Sequence, residues 1–380
     1  MQRKKLFNSC CVLLMLICVF IVAPTQAGID FLDAPAQETS RASKSLLLDV
    51  VKAGDRLVAV GERGHIVYSH DGGDDWLQAE VPVYVTLTAV HFPTPLKGWS
   101  VGHDGVVLSS TDGGKTWAKQ LDGYFINEQV LAQAQARYEA AEAMLDSTSD
   151  DEELEEAEFQ LDEASFALDN AKEDLETGPA KPLLDVWFRN EYEGFVVGSY
   201  GIFLYTADGG KSWQLVSERL NNPYGLHLNA IDSYDGEAIY IAGEAGSLHR
   251  STDGGKSWEL LPTPYDGSYF GLIVSRIENG TEKILTFGLR GNLYASDDAG
   301  ETWYRAETQT QASFFGGTTT EDGRLFVVGG DGKVLSSVDG GHKFSSATRK
   351  DRLPNSAIVE FDKNELVLVG YGGVRYMKIE

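Results

Sequence analysis

A chain of 380 residues with a formal net charge of −25 has no basic stripe to neutralise phosphates, which argues against nucleic acid and against binding to anionic lipid. Its 42% hydrophobic and 23% charged residues are those of a globular protein, and 41 glycines suit a turn-rich β fold. All three cysteines (Cys10, Cys11, Cys18) lie in the first 27 residues, so the remainder has no thiolate chemistry, disulfide or Cys-ligated metal site.

Residues 1–27 read as a secretory signal peptide. Arg3, Lys4 and Lys5 precede the mostly apolar run Leu6–Val22, and Thr25-Gln26-Ala27 makes a small-x-small cleavage site before Gly28. Cys18 follows Met15-Leu16-Ile17, and Ile directly before the Cys is too bulky for lipid attachment. An uncleaved membrane anchor is the alternative, and a cleaved signal places the protein in the periplasm. Residues 28–44 are polar after a short GIDFLD run. A strand near Ile29–Asp33 is expected to pair with the last repeat and close its open edge; the alternative is a flexible leader.

From residue 45 a unit of about 41–45 residues recurs, as in propellers and solenoids. A short apolar run ends in a Gly at 61, 102, 198, 243, 288, 329 and 370, and a second Gly follows three residues later. The runs are too short for helices and read as strands, and each Gly-x-x-Gly reads as a tight hairpin that uses the glycines' tolerance of positive φ. Ten residues after the first Gly stands an Asp in six repeats: Asp71, Asp112, Asp208, Asp253, Asp298 and Asp339. Each opens an Asp-Gly-Gly-type turn, where an Asp side chain accepts hydrogen bonds from the backbone just after it. An aromatic residue follows each turn: Trp76, Trp117, Trp213, Trp258, Trp303 and Phe344. Such rings are placed to pack between neighbouring sheets. With one further strand before each unit (LTAVHF at 87–92, LLDVWF at 183–188), four strands per repeat and seven repeats predict an all-β, seven-bladed β-propeller. Residues 45–124 hold blades 1–2 and residues 180–380 hold blades 3–7.

The pattern breaks between Gly102 and Gly198, which are 96 residues apart. The surplus is 125–179. Leu131, Ala134, Tyr138, Ala141 and Leu145 keep a 3-4 spacing, as do Leu154, Ala157, Leu161, Ala164, Leu168, Ala171 and Leu175. This predicts an antiparallel, coiled-coil-like α-helical hairpin inserted between blades 2 and 3, with Asp150 and Glu153, or Ser149 and Glu152, as a capping box and Gly178-Pro179 as the stop. It holds 17 Asp/Glu against Arg137 and Lys172, a net −15, most of it a solvated surface. Strand order puts the hairpin on the same face as the Gly-x-x-Gly turns, with the Asp turns on the opposite face. Residues between the paired glycines differ from repeat to repeat, and variable loops on a regular scaffold are where a binding site is built. The candidates there are Arg63, His103, Tyr200, Arg290 and Tyr371.

The S/T-x-D-G-G-x-x-W turns resemble the Asp-box, or BNR, repeat. The longer stretches VHFPTPLKGWSVGHDGVVLSSTDGGKTW and VWFRNEYEGFVVGSYGIFLYTADGGKSW resemble the repeats of the photosystem II stability/assembly-factor family. The resemblance covers nearly all of 46–124 and 180–380 and stops at the acidic insertion. It implies a non-catalytic propeller that holds a membrane-protein subunit, aided by an arginine patch. Arg63 and Arg290 lie on the expected face, while Arg189 and Arg276 fall at or near the ends of first strands, on the other.

Asp boxes also occur in sialidases, so glycoside hydrolysis needs weighing. It requires two placed carboxylates. The box aspartates sit in turns on the wrong face, and Glu62, Asp104, Glu244 and Asp331 are the carboxylates on the right one. No third repeat-equivalent Arg completes a sialidase cluster. The seven histidines show no HExxH-like spacing, and no phosphate-binding GxxxxGK[ST] is present, so no metal and no cofactor is expected. The expected function is an exported scaffold that assists a membrane or envelope protein complex through its propeller face and hairpin. A glycan-binding or glycoside-hydrolysing propeller is the alternative, and a purely structural surface protein is the third class.

Overall fold

The computed structural model describes residues 30–277 and 280–379. Its β structure forms seven antiparallel sheets, six of four strands and one of three, each built from consecutive strands. Their first strands are Leu47–Ala53, Leu87–His91, Leu183–Phe188, Leu228–Asp232, Tyr269–Arg276, Phe314–Thr319 and Asn355–Asp362. Each lies beside the next, and the seventh lies beside the first, so the sheets close a ring around a central channel. That arrangement is a β-propeller; the sheets are numbered 1–7 below.

Alternation along the strands decides the packing. The second strand of each sheet is buried on both faces, as in Gly98–Gly102 and Gly194–Gly198, because it is sandwiched between two neighbouring sheets. Between sheets 2 and 3, Trp99 stacks on Phe188 with ring centroids 3.5 Å apart.

The Asp turns repeat one hydrogen-bond scheme. In sheet 2, the Ser110 hydroxyl donates to Asp112 Oδ1 (2.9 Å) and accepts from the Gly114 amide (2.9 Å). Asp112 Oδ1 accepts from the Lys115 and Thr116 amides, both at 3.0 Å, and Oδ2 from the Thr116 hydroxyl. Asp71, Asp208, Asp253, Asp298 and Asp339 accept from the Ser or Thr hydroxyl two residues before them in the same way, and Asp208, Asp253 and Asp298 also accept a second hydroxyl at Oδ2. The following ring packs against the preceding sheet: Trp258 of sheet 4 meets Phe203 and Phe195 of sheet 3 edge-on.

The N-terminal segment departs from expectation. Ile29 lies outside the described residues, and residues 30–33 form turns rather than a strand on sheet 7. Leu32 is buried in the core shared by sheets 1 and 2. The Tyr84 amide donates to Phe31 O, the Ala36 amide to Val81 O, and the Thr39 amide to the Gln78 side chain. Burial explains the choice: Leu32 gains more in the sheet 1–2 cleft than on an edge strand, while Phe31 stays exposed beside Tyr84. Sheet 7 keeps three strands and closes the ring through its face, packing on sheet 1 through Val50, Leu57, Ala357, Val367 and Val369. Trp76 Nε1 donates to Tyr376 Oη at 2.7 Å across this seam, and the Tyr376 hydroxyl donates to Gly73 O.

Two helices, α1 (Gly123–Ser147) and α2 (Asp151–Thr177), stand between sheets 2 and 3. Their seam is made by Ala134, Ala141, Ala157, Ala164, Leu168 and Ala171, all buried. Small side chains let the two backbones approach. The Asp122 carboxylate caps α1 by accepting from the Tyr124 amide (3.2 Å), and Asp150 accepts from the Glu153 amide (3.4 Å) at the start of α2.

Candidate functional site

The Gly-x-x-Gly turns share one backbone geometry, and it differs from the expectation for the first glycine. Gly102 is extended, at φ −174°, and only the second glycine, Gly105, has positive φ (+70°). The first glycine is required by close approach: a Cβ on Gly102 would lie 2.3 Å from Thr86 O. The residue just before the second glycine is itself left-handed. Arg63 (φ 58°), Asp104 (56°), Tyr200 (56°), Ala245 (51°), Arg290 (57°) and Asp331 (55°) occupy it, and sheet 7 uses Gly372. Non-glycine residues pay roughly 1–2 kcal/mol there, so the scaffold holds six outward side chains in a conformation they would otherwise avoid.

The hairpin emerges on this same face. Gly123, at the start of α1, packs on the sheet 2 turn so closely that a Cβ on Gly105 would meet Gly123 Cα at 2.7 Å. Lys119 ties the junction, with its ammonium 2.8 Å from Asp33 and 2.9 Å from Asp122. Asn127 is buried and donates to Asp174 O (2.9 Å) and Gly178 O (3.3 Å), clamping α1 to the end of α2. Gln133 reaches sheet 3, donating to Leu215 O at 2.8 Å.

These contacts draw two of the five candidates together around the hairpin base. His103 is exposed in the sheet 2 turn that touches α1. Tyr200 is 62% exposed on sheet 3, with its ring 5.0 Å from His227 and 5.6 Å from Lys181 Nζ. Lys181 in turn pairs with Asp174 of α2, and His227 Nδ1 lies 3.8 Å from Glu244. The patch therefore mixes an exposed phenol, an ammonium and an imidazole, a combination that suits polar and aromatic groups of a protein surface. Lys181 and His227 went unread in the sequence because they lie outside the repeat's paired glycines; only the fold brings them to Tyr200. Arg63, Arg290 and Tyr371 stand apart, exposed on sheets 1, 5 and 7. Arg189 donates to Gly236 O, and Arg276 pairs with Asp235 and covers Tyr234, both at the opposite end of the strands. The four arginines do not form one patch.

Two of the face carboxylates support backbone. Glu62 accepts from the Leu46 amide (3.1 Å) and Glu244 from the His227 amide (3.0 Å), each holding the segment that leads into its own sheet's first strand. Burial pushes the Asp104 carboxyl up. On the far face the box aspartates go the other way: hydroxyl and amide donors hold Asp208 down at about 2.

A second feature of the face was not foreseen. One residue per sheet, in equivalent register at the start of the inner strand, rims the channel: Leu48, Thr88, Leu184, Asn229, Phe270, Phe315 and Ser356. They line a cavity of about 320 Å³, and the Phe270 and Phe315 rings are 6.0 Å apart. In five sheets this residue stands fourteen positions before the first Gly, as Thr88 does before Gly102. That spacing could have located it. Deeper in the channel, Asp49, Asp185 and Asp232 each bind the amide of their own next residue and one from the adjoining sheet: Val90 (2.9 Å), Ile231 (2.8 Å) and Val274 (2.8 Å). Burial raises Asp49 to about 6 and Asp232 to about 7, and burial, with the nearby Asp49 and Asp232 charges, raises Asp185 well above the usual carboxylate range. These carboxylates act as staples between sheets.

A family model described as the photosynthesis system II assembly factor YCF48 matches residues 165–324. The photosystem II assembly lipoprotein Ycf48 of Nostoc sp. is 39% identical over 72 residues, 18% of this chain and 21% of that protein. Its counterpart from Trichormus variabilis is 44% identical over 52 residues, 13% of this chain and 15% of that protein. The chain thus aligns with about a fifth or less of the length of these relatives. Among solved structures, YCF48 bound to D1 peptide superposes with a TM-score of 0.58 at 16% identity, over 89% of this chain and 94% of that one. YCF48 from Cyanidioschyzon merolae gives 0.56 at 15%, over 87% and 95%. The WD40 β-propeller domain of Doa1 gives 0.58 at 11%, over 92% and 97%. At such identities the shared property is the β-propeller fold.

Proposed function

We propose that this chain, whose repeats resemble those of the photosystem II assembly factor Ycf48 family, is an exported, non-catalytic scaffold. As a seven-bladed Asp-box propeller it grips a subunit of a membrane or envelope protein complex on its Gly-x-x-Gly face. Its acidic hairpin contacts a second surface. The observation that carries the reading is the meeting of the hairpin base with the exposed Tyr200–Lys181–His227 patch, which makes one continuous surface of propeller and insertion. One solved propeller of the same fold is described as bound to D1 peptide, which supports a peptide-gripping role for this architecture. The relatives' description as lipoproteins supports export. The signal peptide that would direct it, residues 1–27, lies outside the described residues.

The residues chosen for this role are Arg63, His103, Tyr200, Arg290 and Tyr371, with Lys181 added from the structure. The box aspartates are assigned a structural task, since each accepts hydrogen bonds from the hydroxyl and backbone amides of its own turn. The test is an affinity pull-down of the mature protein from solubilised envelope, beside a version with 125–179 replaced by a short loop. A specific membrane protein recovered by the first and lost by the second is the expected result. Equal recovery moves the contact to the propeller face, and Tyr200→Ala with Lys181→Ala then becomes the next comparison. No partner for either form refutes the scaffold reading.

A further inference from the structure

α2 carries a face that the rest of the molecule leaves unused. Ala157, Ala164, Leu168 and Ala171 turn toward α1 and are buried. Phe159 and Phe166 stand two residues away from seam positions, roughly 200° around the helix, and so point away from α1. They are 58% and 70% exposed. Two turns separate them, which sets the rings about 10 Å apart on a single stripe. The positions three and four residues from either ring are Glu155, Glu156, Asp162, Glu163, Asp169 and Asn170, all exposed. Arg137 and Lys172 engage Glu163 and Asp169 at the rim. Glu155 and Asp162 have no basic partner among the described residues.

We propose that this face is a docking surface for a basic amphipathic segment of a partner protein. Two apolar side chains seven residues apart on a partner helix would seat on Phe159 and Phe166, while flanking Lys or Arg side chains would meet the surrounding carboxylates. Charge complementarity selects this occupant. A second copy of the chain would bring one acidic stripe against another, and an anionic membrane surface would be repelled in the same way. Cations beside the exposed rings gain a further attraction from the ring faces. The inference rests on the hairpin's proposed role as a partner contact and names the chemistry of that partner.

The test titrates the mature full-length protein with a synthetic helical peptide carrying Lys on its polar positions and two Leu seven residues apart. Binding is followed by fluorescence anisotropy. A peptide of the same composition with the two Leu on opposite faces is the control. The expected result is saturable binding that F159A/F166A weakens by about tenfold or more, as loss of aromatic anchors does, and that salt weakens further. Both Phe are exposed, so circular dichroism of F159A/F166A should match the parent. Equal affinity of parent and variant would mean that net charge alone attracts the peptide, and would overturn the proposal; so would equal binding of the control peptide, or none of the designed one. The envelope pull-down separates the two readings. A partner kept by F159A/F166A but lost without 125–179 refutes this face and leaves the scaffold. Peptide binding without any envelope partner refutes the scaffold and leaves this face.

Discussion

Replacing Gly102 with Ala tests why the first glycine of each pair is there. Its φ of −174° is open to any residue, so backbone conformation does not exclude Ala. The obstacle is space: the new methyl would lie 2.3 Å from Thr86 O and 2.8 Å from Leu87 Cα. Relief requires moving the start of the inner strand outward, which breaks the bond from the His103 amide to Thr86 O (2.8 Å). Overpacking costs about 1–3 kcal/mol and the lost hydrogen bond about 1, so about 2–4 kcal/mol in all. Unfolding entropy of about 2.1 cal/mol/K per residue over about 350 residues converts this to a fall in Tm of about 3–5 °C. Thermal unfolding followed by tryptophan fluorescence measures it, with Gly323→Ala beside it. Gly323 has φ +82° and nothing within 4 Å of its added Cβ, so Ala there pays only for the left-handed backbone. A Gly102→Ala protein that melts within a degree of the parent, or above Gly323→Ala, would refute the close-approach argument.

Asn127→Ala should loosen the hairpin base without unfolding the propeller, since it frees two carbonyls at the end of α2; hydrogen exchange is expected to rise across 123–133 and 168–178 and to stay unchanged in the sheets. Tyr376→Phe removes both the acceptor for Trp76 Nε1 and the donor to Gly73 O across the sheet 7–sheet 1 seam and should cost about 1–3 kcal/mol, read as a lower urea midpoint. Stability should also depend on pH in two windows. Asp49 and Asp232 titrate at about 6 and about 7 when folded against about 3.9 unfolded, so the unfolded chain releases these protons first and stability falls as pH rises from about 4 through 7. Asp208, held at about 2, contributes stability above about 4 that is lost as pH falls toward 2. Urea midpoints in high salt, which screens the overall negative charge, should peak near pH 4–5; a midpoint that rises from pH 5 to 8 would contradict the assignment, and Asp232→Asn should flatten that limb.

Much of this molecule was legible because its information is local and repeated. A Ser or Thr two residues before an Asp, with Gly-Gly after it, closes its own hydrogen bonds within the turn, so reading the residues is nearly reading the structure. Alternating strands and a 3-4 stripe of Leu and Ala announce their elements in the same way. What depended on distant partners was not legible. The first glycine faces a carbonyl of another strand, so its reason lies in a neighbour and not in its own φ. Leu32 went to the sheet 1–2 cleft, because the deepest apolar site is set by the closed ring and not by the nearest open edge. Tyr200 was visible as a loop residue, but Lys181 and His227 join it only once the hairpin base and two sheets are folded together. The channel rim likewise exists only when seven inner strands stand in register. Sequence alone determined the turns, the strands, the insertion and the sign of its charge, since each is settled by residues within a few positions of one another. Tertiary structure alone decided closure and the site, because both are made by side chains that are far apart in the chain and meet only around the axis.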